Sequence, residues 1–202
     1  TSQHGLIYNK IKTQLSEEFA KQYADANESA IRMIEKIVIE NNIQCDYMPQ
    51  SAYIYTLRDG YVDRISDEVK TASSLGIKAT YLEEIPLPFK VKAAVRFDDQ
   101  AQFHPRKFLL PLAEKITMNG SQIFEQSRIV DIEENGNYIL TTNQGKKITA
   151  EKVIIASHYP CYNKPGMYFA RIWADRSYIV AIKAKEKYPG GMYITAEEPG
   201  RS

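Results

Sequence analysis

Apolar residues in the first forty positions recur at helical spacing. Leu6, Ile7, Ile11 and Leu15 share one face, and Phe19, Tyr23, Ala26, Ala30, Ile34 and Ile37 follow at steps of three or four. Ser16, with Glu17 and Glu18 behind it, predicts the cap of the second helix, and Asn41-Asn42 ends it. The pattern then changes. Tyr47, Tyr53, Ile54, Tyr55 and Thr56 read as a strand turned out by Arg58-Asp59-Gly60. A helix from Asp63 to Leu75 stops at Gly76, and short strands follow over Ile77 to Leu82 and Val91 to Phe97.

After His104 a further helix begins, with Pro105 in its tolerant first turn and Pro111 predicting a kink or break near Lys107. Gly120 ends it. Gln122 to Glu133 reads as β-structure, with a hairpin at Asn135-Gly136, a strand Tyr138 to Thr142 and a turn at Gly145. Val153 to Ala156 has the continuous apolar character of a strand buried on both faces. Tyr178 to Lys185 and Met192 to Ala196 read as paired strands around Pro189-Gly190-Gly191. The order predicts an α+β fold: a mostly antiparallel sheet with helices on one face, Tyr53, Val95, Ile179 and Ile194 lying on its strands.

Composition narrows the function classes. Twenty-six Lys and Arg balance 25 Asp and Glu, and the charges are interspersed, so neither a nucleic-acid face nor a polybasic membrane patch is present. No apolar run is long enough to span a bilayer. Two distant cysteines form no disulfide framework and fit a reducing, cytoplasmic compartment. Three scattered histidines with Cys45 and Cys161 do not supply a metal-ligand set, nor does His158 with Cys161 mark a nucleophile. Fourteen tyrosines against one tryptophan suit pockets and interfaces.

The order of helix, strand, hairpin and short buried strand over Phe103 to Pro160 resembles the FAD-dependent oxidoreductases of the D-amino-acid oxidase, or glycine oxidase, superfamily. Thr1-Ser2-Gln3-His4-Gly5-Leu6 is similar to a subgroup that carries a Rieske iron–sulfur domain at its C-terminus. No G-x-G-x-x-G occurs in the sequence, and it starts at Thr1. The resemblance therefore implies an internal stretch of a larger flavoenzyme. It implies residues 1–45 as helices following the FAD-binding βαβ unit, residues 46–100 and 161–202 as the substrate-domain sheet, and residues 101–160 as the rest of the FAD-binding lobe. Any Rieske domain lies beyond Ser202.

The resemblance also implies site residues. Ser2, Gln3, His4 and Gly5 stand where the family's chain passes the flavin ring, although a loose chain terminus reads the same way. The backbone at Ile129 is expected to meet the adenine edge, or to be simply a strand of the hairpin. Ala156, Ser157 and His158 stand where the chain passes the cofactor's ribose and phosphates, with His158 in the usual glycine position. Tyr168, Arg171, Trp173 and Arg176 are expected to border a concave substrate surface; a plain sheet with solvated arginines is the equal alternative. The implied activity is hydride transfer to flavin from an amine or amino-acid-like molecule, with the isolated stretch silent and free to self-associate through an exposed sheet edge. A non-enzymatic binding or interaction module is the rival reading.

Overall fold

The computed structural model describes residues 1–158, 162, 166–173, 176–183 and 185–197. They fall into two compact units, residues 1–118 with 184–202, and residues 119–183.

In the first unit, α1 (Tyr8–Gln14) and α2 (Glu17–Glu40) meet at Ser16, whose hydroxyl accepts from the Phe19 N–H at 3.2 Å, as the sequence predicts. β1 (Met48–Thr56), α3 (Val62–Ser74), β2 (Ala79–Leu82) and β3 (Ala93–Gln102) follow, with Gly76 at φ +91° ending α3. One pleat of the sheet, carrying Ala52, Ile54, Val95 and Phe97, closes a core with Tyr8, Ala20, Ala24, Ile65 and Ala72 from the three helices. Helices therefore cover one face, as expected.

α4 (Pro105–Met118) is continuous through Pro111, so the predicted break is absent. Its first half is anchored by the His104 N–H to the Cys45 carbonyl and by the Lys107–Asp46 ion pair, its second by Lys115 on Asn41. None of its residues is buried. Pro111 still deprives the helix of one backbone bond. Pro111→Ala is accordingly expected to raise stability by about 1–3 kcal/mol, read as a higher denaturation midpoint. A lower midpoint would show that the ring itself packs.

The second unit is a three-stranded meander of β4 (Ile129–Asn135), β5 (Asn137–Thr142) and β6 (Lys147–Ala150), turned at Gly136 with φ +75°. The hairpin is the one predicted at Asn135-Gly136.

The first unit's sheet is completed by β7 (Met192–Thr195), in the order β2-β3-β1-β7. Tyr53, Val95 and Ile194 share this sheet as expected. The β-structure read from Gln122 is strand only from Ile129 onward, and two further strands differ from the sequence reading. Tyr178, Ile179, Val180 and Ile182 carry no strand and are 83–90% exposed, and β7 pairs with β1 in parallel rather than with them. Gly190 and Gly191, both at positive φ, and the Gln50 carboxamide accepting from the Gly191 N–H at 2.9 Å, feed β7 directly onto β1. Val153 to Ala156 is likewise unpaired, with Ile154 91% exposed. An apolar run encodes burial but not which edge supplies its backbone partners. Tyr159, Pro160 and Cys161 lie outside the described residues.

Candidate flavin loop and the aromatic face of the sheet

The segment ahead of α1 is held from three sides. Ser2 is fully buried; its N–H and Oγ–H both donate to Gln100 Oε1, at 2.6 and 3.2 Å, and its carbonyl accepts from the Tyr8 hydroxyl at 2.6 Å. Gln3 is buried, and its Nε2 has no hydrogen-bond partner among the described residues. A buried carboxamide donor left open calls for an acceptor from outside the described chain. His4 is exposed and shares a 2.7 Å hydrogen bond through Nδ1 with the Tyr23 hydroxyl. Burial holds its imidazole below its ordinary value. Gly5 turns the chain at φ +73°, and nothing stands within 4 Å of where a Cβ would sit. A cavity of about 230 Å³ opens beside it, lined in part by His4, Gly5, Lys10, Ile194 and Glu197.

The entry to α1 is capped from a distance. Ile7 offers no side-chain acceptor, and the buried Glu68 of α3 accepts instead from the N–H groups of Tyr8 and Asn9. The loop's geometry therefore depends on β3 and α3 as well as on its own residues.

On the pleat facing away from α1–α3, Tyr53 and Tyr193 stack with centroids 4.7 Å apart, and Tyr188 meets Tyr193 edge-on. The Tyr193 hydroxyl is buried with no partner among the described residues, and burial pushes it up to about 12, so it stays a donor at neutral pH. Arg96 lies opposite Tyr53 in register and pairs with Asp98, which also accepts from Ser51.

The other predicted site residues lie in the second unit. Ile129 begins β4 at a register shift, half-buried. Ala156, Ser157 and His158 are exposed and outside regular structure. Tyr168 opens a single 3₁₀ turn; Arg171, Trp173 and Arg176 are exposed, with Trp173 at 91%. Sequence reasoning gave no site role to Gln100, Tyr53 or Tyr193. The tyrosine-rich composition was the signal for the last two; for Gln100 there was none.

Residues 3–199 match the family of FAD dependent oxidoreductases. The chain belongs to that family. It is 36% identical, over 98% of its length, to YhfW of Bacillus subtilis (strain 168), a protein named as a Rieske 2Fe-2S iron-sulfur protein. It spans 39% of that relative's length. Among solved structures it resembles glycine oxidase from Bacillus cereus ATCC 14579, with TM-score 0.59 and 21% identity over 73% of this chain and 43% of that one. Glycine oxidase from Geobacillus kaustophilus gives TM-score 0.57 at 18% identity over 67% of this chain and 39% of that one. The fold is thus that of an FAD-dependent oxidoreductase, as the sequence resemblance implied. Among the described residues, no helix is long and apolar enough to cross a membrane, and no side-chain cluster could hold a metal ion.

A buried, unpartnered carboxamide donor in a polar loop beside the left-handed Gly5 has the chemistry to meet an acceptor atom of a flavin.

Proposed function

We propose that the chain forms the substrate sheet and part of the cofactor lobe of an enzyme that oxidises an amine or amino-acid-like small molecule. The observation that carries this reading is the open Gln3 donor in a loop fixed to the sheet, within a chain of this family. The bound flavin supplies the hydride acceptor. The chain's own residues bind, orient and shield. Ser2, Gln3, His4 and Gly5 line the flavin, Gln3 donating to it; the backbone at Ile129 meets the adenine edge; Ala156, Ser157 and His158 pass the ribose and phosphates. Tyr168, Arg171, Trp173 and Arg176 border the substrate. Within the first unit, the Tyr53–Tyr193 stack is an aromatic surface of the sheet, with the Tyr193 hydroxyl as a donor that stays protonated. By its likeness to YhfW, the same polypeptide carries a Rieske domain.

The test is purification of the protein at its native length. One flavin per chain is expected in the visible spectrum after desalting, with bleaching of that band by small amino acids under anaerobic conditions. The 202 residues alone, which contain no G-x-G-x-x-G, are expected to retain none, because the diphosphate cradle of such folds is built by that turn. A native-length protein free of flavin, even after incubation with excess FAD, overturns the proposal.

A further inference from the structure

We propose that Gln100 is a positioning residue for the flavin loop, and that Glu28 sets the direction of its carboxamide; this rests on the flavin reading above. Gln100 ends up buried near the C-terminal end of β3, 1% exposed, and all of its side-chain hydrogen-bonding capacity is used. Oε1 accepts twice from Ser2, while Nε2 donates to the Asp98 carbonyl at 3.1 Å and to Glu28 Oε1 at 3.3 Å.

The direction of the amide follows from chemistry. An ionised glutamate only accepts, so Glu28 can face only the nitrogen end of Gln100. The oxygen end is thereby turned to Ser2, whose N–H can only donate and whose Oγ–H donates beside it. The Ser2 carbonyl is meanwhile held by the Tyr8 hydroxyl. Both backbone polar groups of Ser2 are fixed, the N–H by Gln100 98 positions away and the carbonyl by Tyr8 at the start of α1, and Gln3 follows with its carboxamide nitrogen open. Gln100 uses its whole carboxamide on Ser2, Asp98 and Glu28. It acts through Ser2, and Glu28 acts through Gln100.

The experiment uses the native-length protein and three variants, Gln100→Leu, Gln100→Glu and the double variant Gln100→Glu with Glu28→Gln. Leucine removes both acceptor and donor. Glutamate keeps the acceptor for Ser2 but faces both Glu28 and the Asp98 carbonyl without a donor; glutamine at 28 returns a donor to the first of these contacts only. Hydrogen exchange over residues 1–7, followed by mass spectrometry, reads the loop directly. FAD affinity and the circular dichroism of the flavin band read its consequence.

The expected result is faster exchange in both single variants, an FAD affinity lower by about tenfold and a changed flavin dichroism, with partial recovery of all three in the double variant. A purely structural role would move the melting temperature but not the dichroism, and would show no recovery. An unprotected loop in the unsubstituted protein overturns the clamp. A protected loop that loosens in Gln100→Leu while FAD affinity and dichroism stay unchanged overturns the positioning role and leaves the flavin reading standing. A native-length protein that binds no FAD overturns both, whatever the exchange shows.

Discussion

Glu68→Leu is expected to destabilise the protein by about 3 kcal/mol and to lower its melting temperature by roughly 6–12 °C. The Glu68 carboxylate is fully buried and accepts from Tyr8 and Asn9 at 2.9 and 2.8 Å. These N–H groups belong to the set that every helix leaves unpaired at its start, and α1 has no cap of its own. Leucine fills the volume but accepts nothing, so two donors lose their partner at about 1–3 kcal/mol each. Part of that loss is offset. Burial raises the Glu68 carboxyl above its ordinary value, against the lowering by the Asn9 and Tyr8 N–H groups, so removing the charge relieves a desolvation cost.

The same shift sets a pH dependence. A raised folded value means that the folded protein holds this proton more tightly than the unfolded chain does. The group's contribution is therefore complete below the ordinary glutamate value of about 4.3 and is lost as pH rises through the raised folded value. Glu68→Gln keeps one acceptor and cannot titrate. It is expected to cost about 1 kcal/mol at low pH and to flatten the slope of stability across that window. Denaturation midpoints measured from pH 4 to 7, as a range of about three units, check both statements. Coincident curves for the unsubstituted protein and the leucine variant would show that α1 is not held by Glu68.

Gly191→Ala is the second large effect, expected at about 3 kcal/mol. The residue sits at φ +82°, where an L side chain alone costs about 1–2 kcal/mol. Its Cβ would also stand 3.0 Å from the Tyr193 hydroxyl and 3.0 Å from Tyr53 Cε2. Both atoms belong to stacked rings, so one ring must shift and the stack must open. Gly190→Ala is the control. Its backbone is equally left-handed, at φ +85°, but its Cβ would meet the end of the Gln50 side chain at 3.3 Å, so the Gln50 contact to the Gly191 N–H must give by a few tenths of an ångström while the aromatic stack stays untouched. It is expected to cost about 1–2 kcal/mol. Near-ultraviolet circular dichroism should change for alanine at 191 and stay constant for alanine at 190. Equal destabilisation with an unaltered tyrosine signal in both would show that the backbone alone, and not the aromatic stack, demands glycine at 191.

Much of the fold was legible because its signals are local. The α2 cap at Ser16, the stop at Gly76 and the hairpin at Asn135-Gly136 each depend on a few adjacent residues whose conformational preferences act at short range, and the structure has all three. The family was legible too, through the order of such elements and the short segment Ser2 to Gly5, and residues 3–199 match it. What tertiary structure decided was pairing. The apolar runs at 153–156 and 178–182 read as strands, yet a strand exists only with an edge that accepts its backbone groups, and sequence spacing does not name that edge. The parallel match of β7 to β1 is of this kind, being set by Gln50 gripping Gly191 across 141 positions. So is the candidate site. Ser2 and Gln100 stand 98 positions apart, and Tyr8 and Glu68 stand 60 apart. A glutamine in a strand and a glutamate in a helix look like ordinary surface residues until the fold buries them against donors with no other partner; only burial turns those side chains into the supports of a loop.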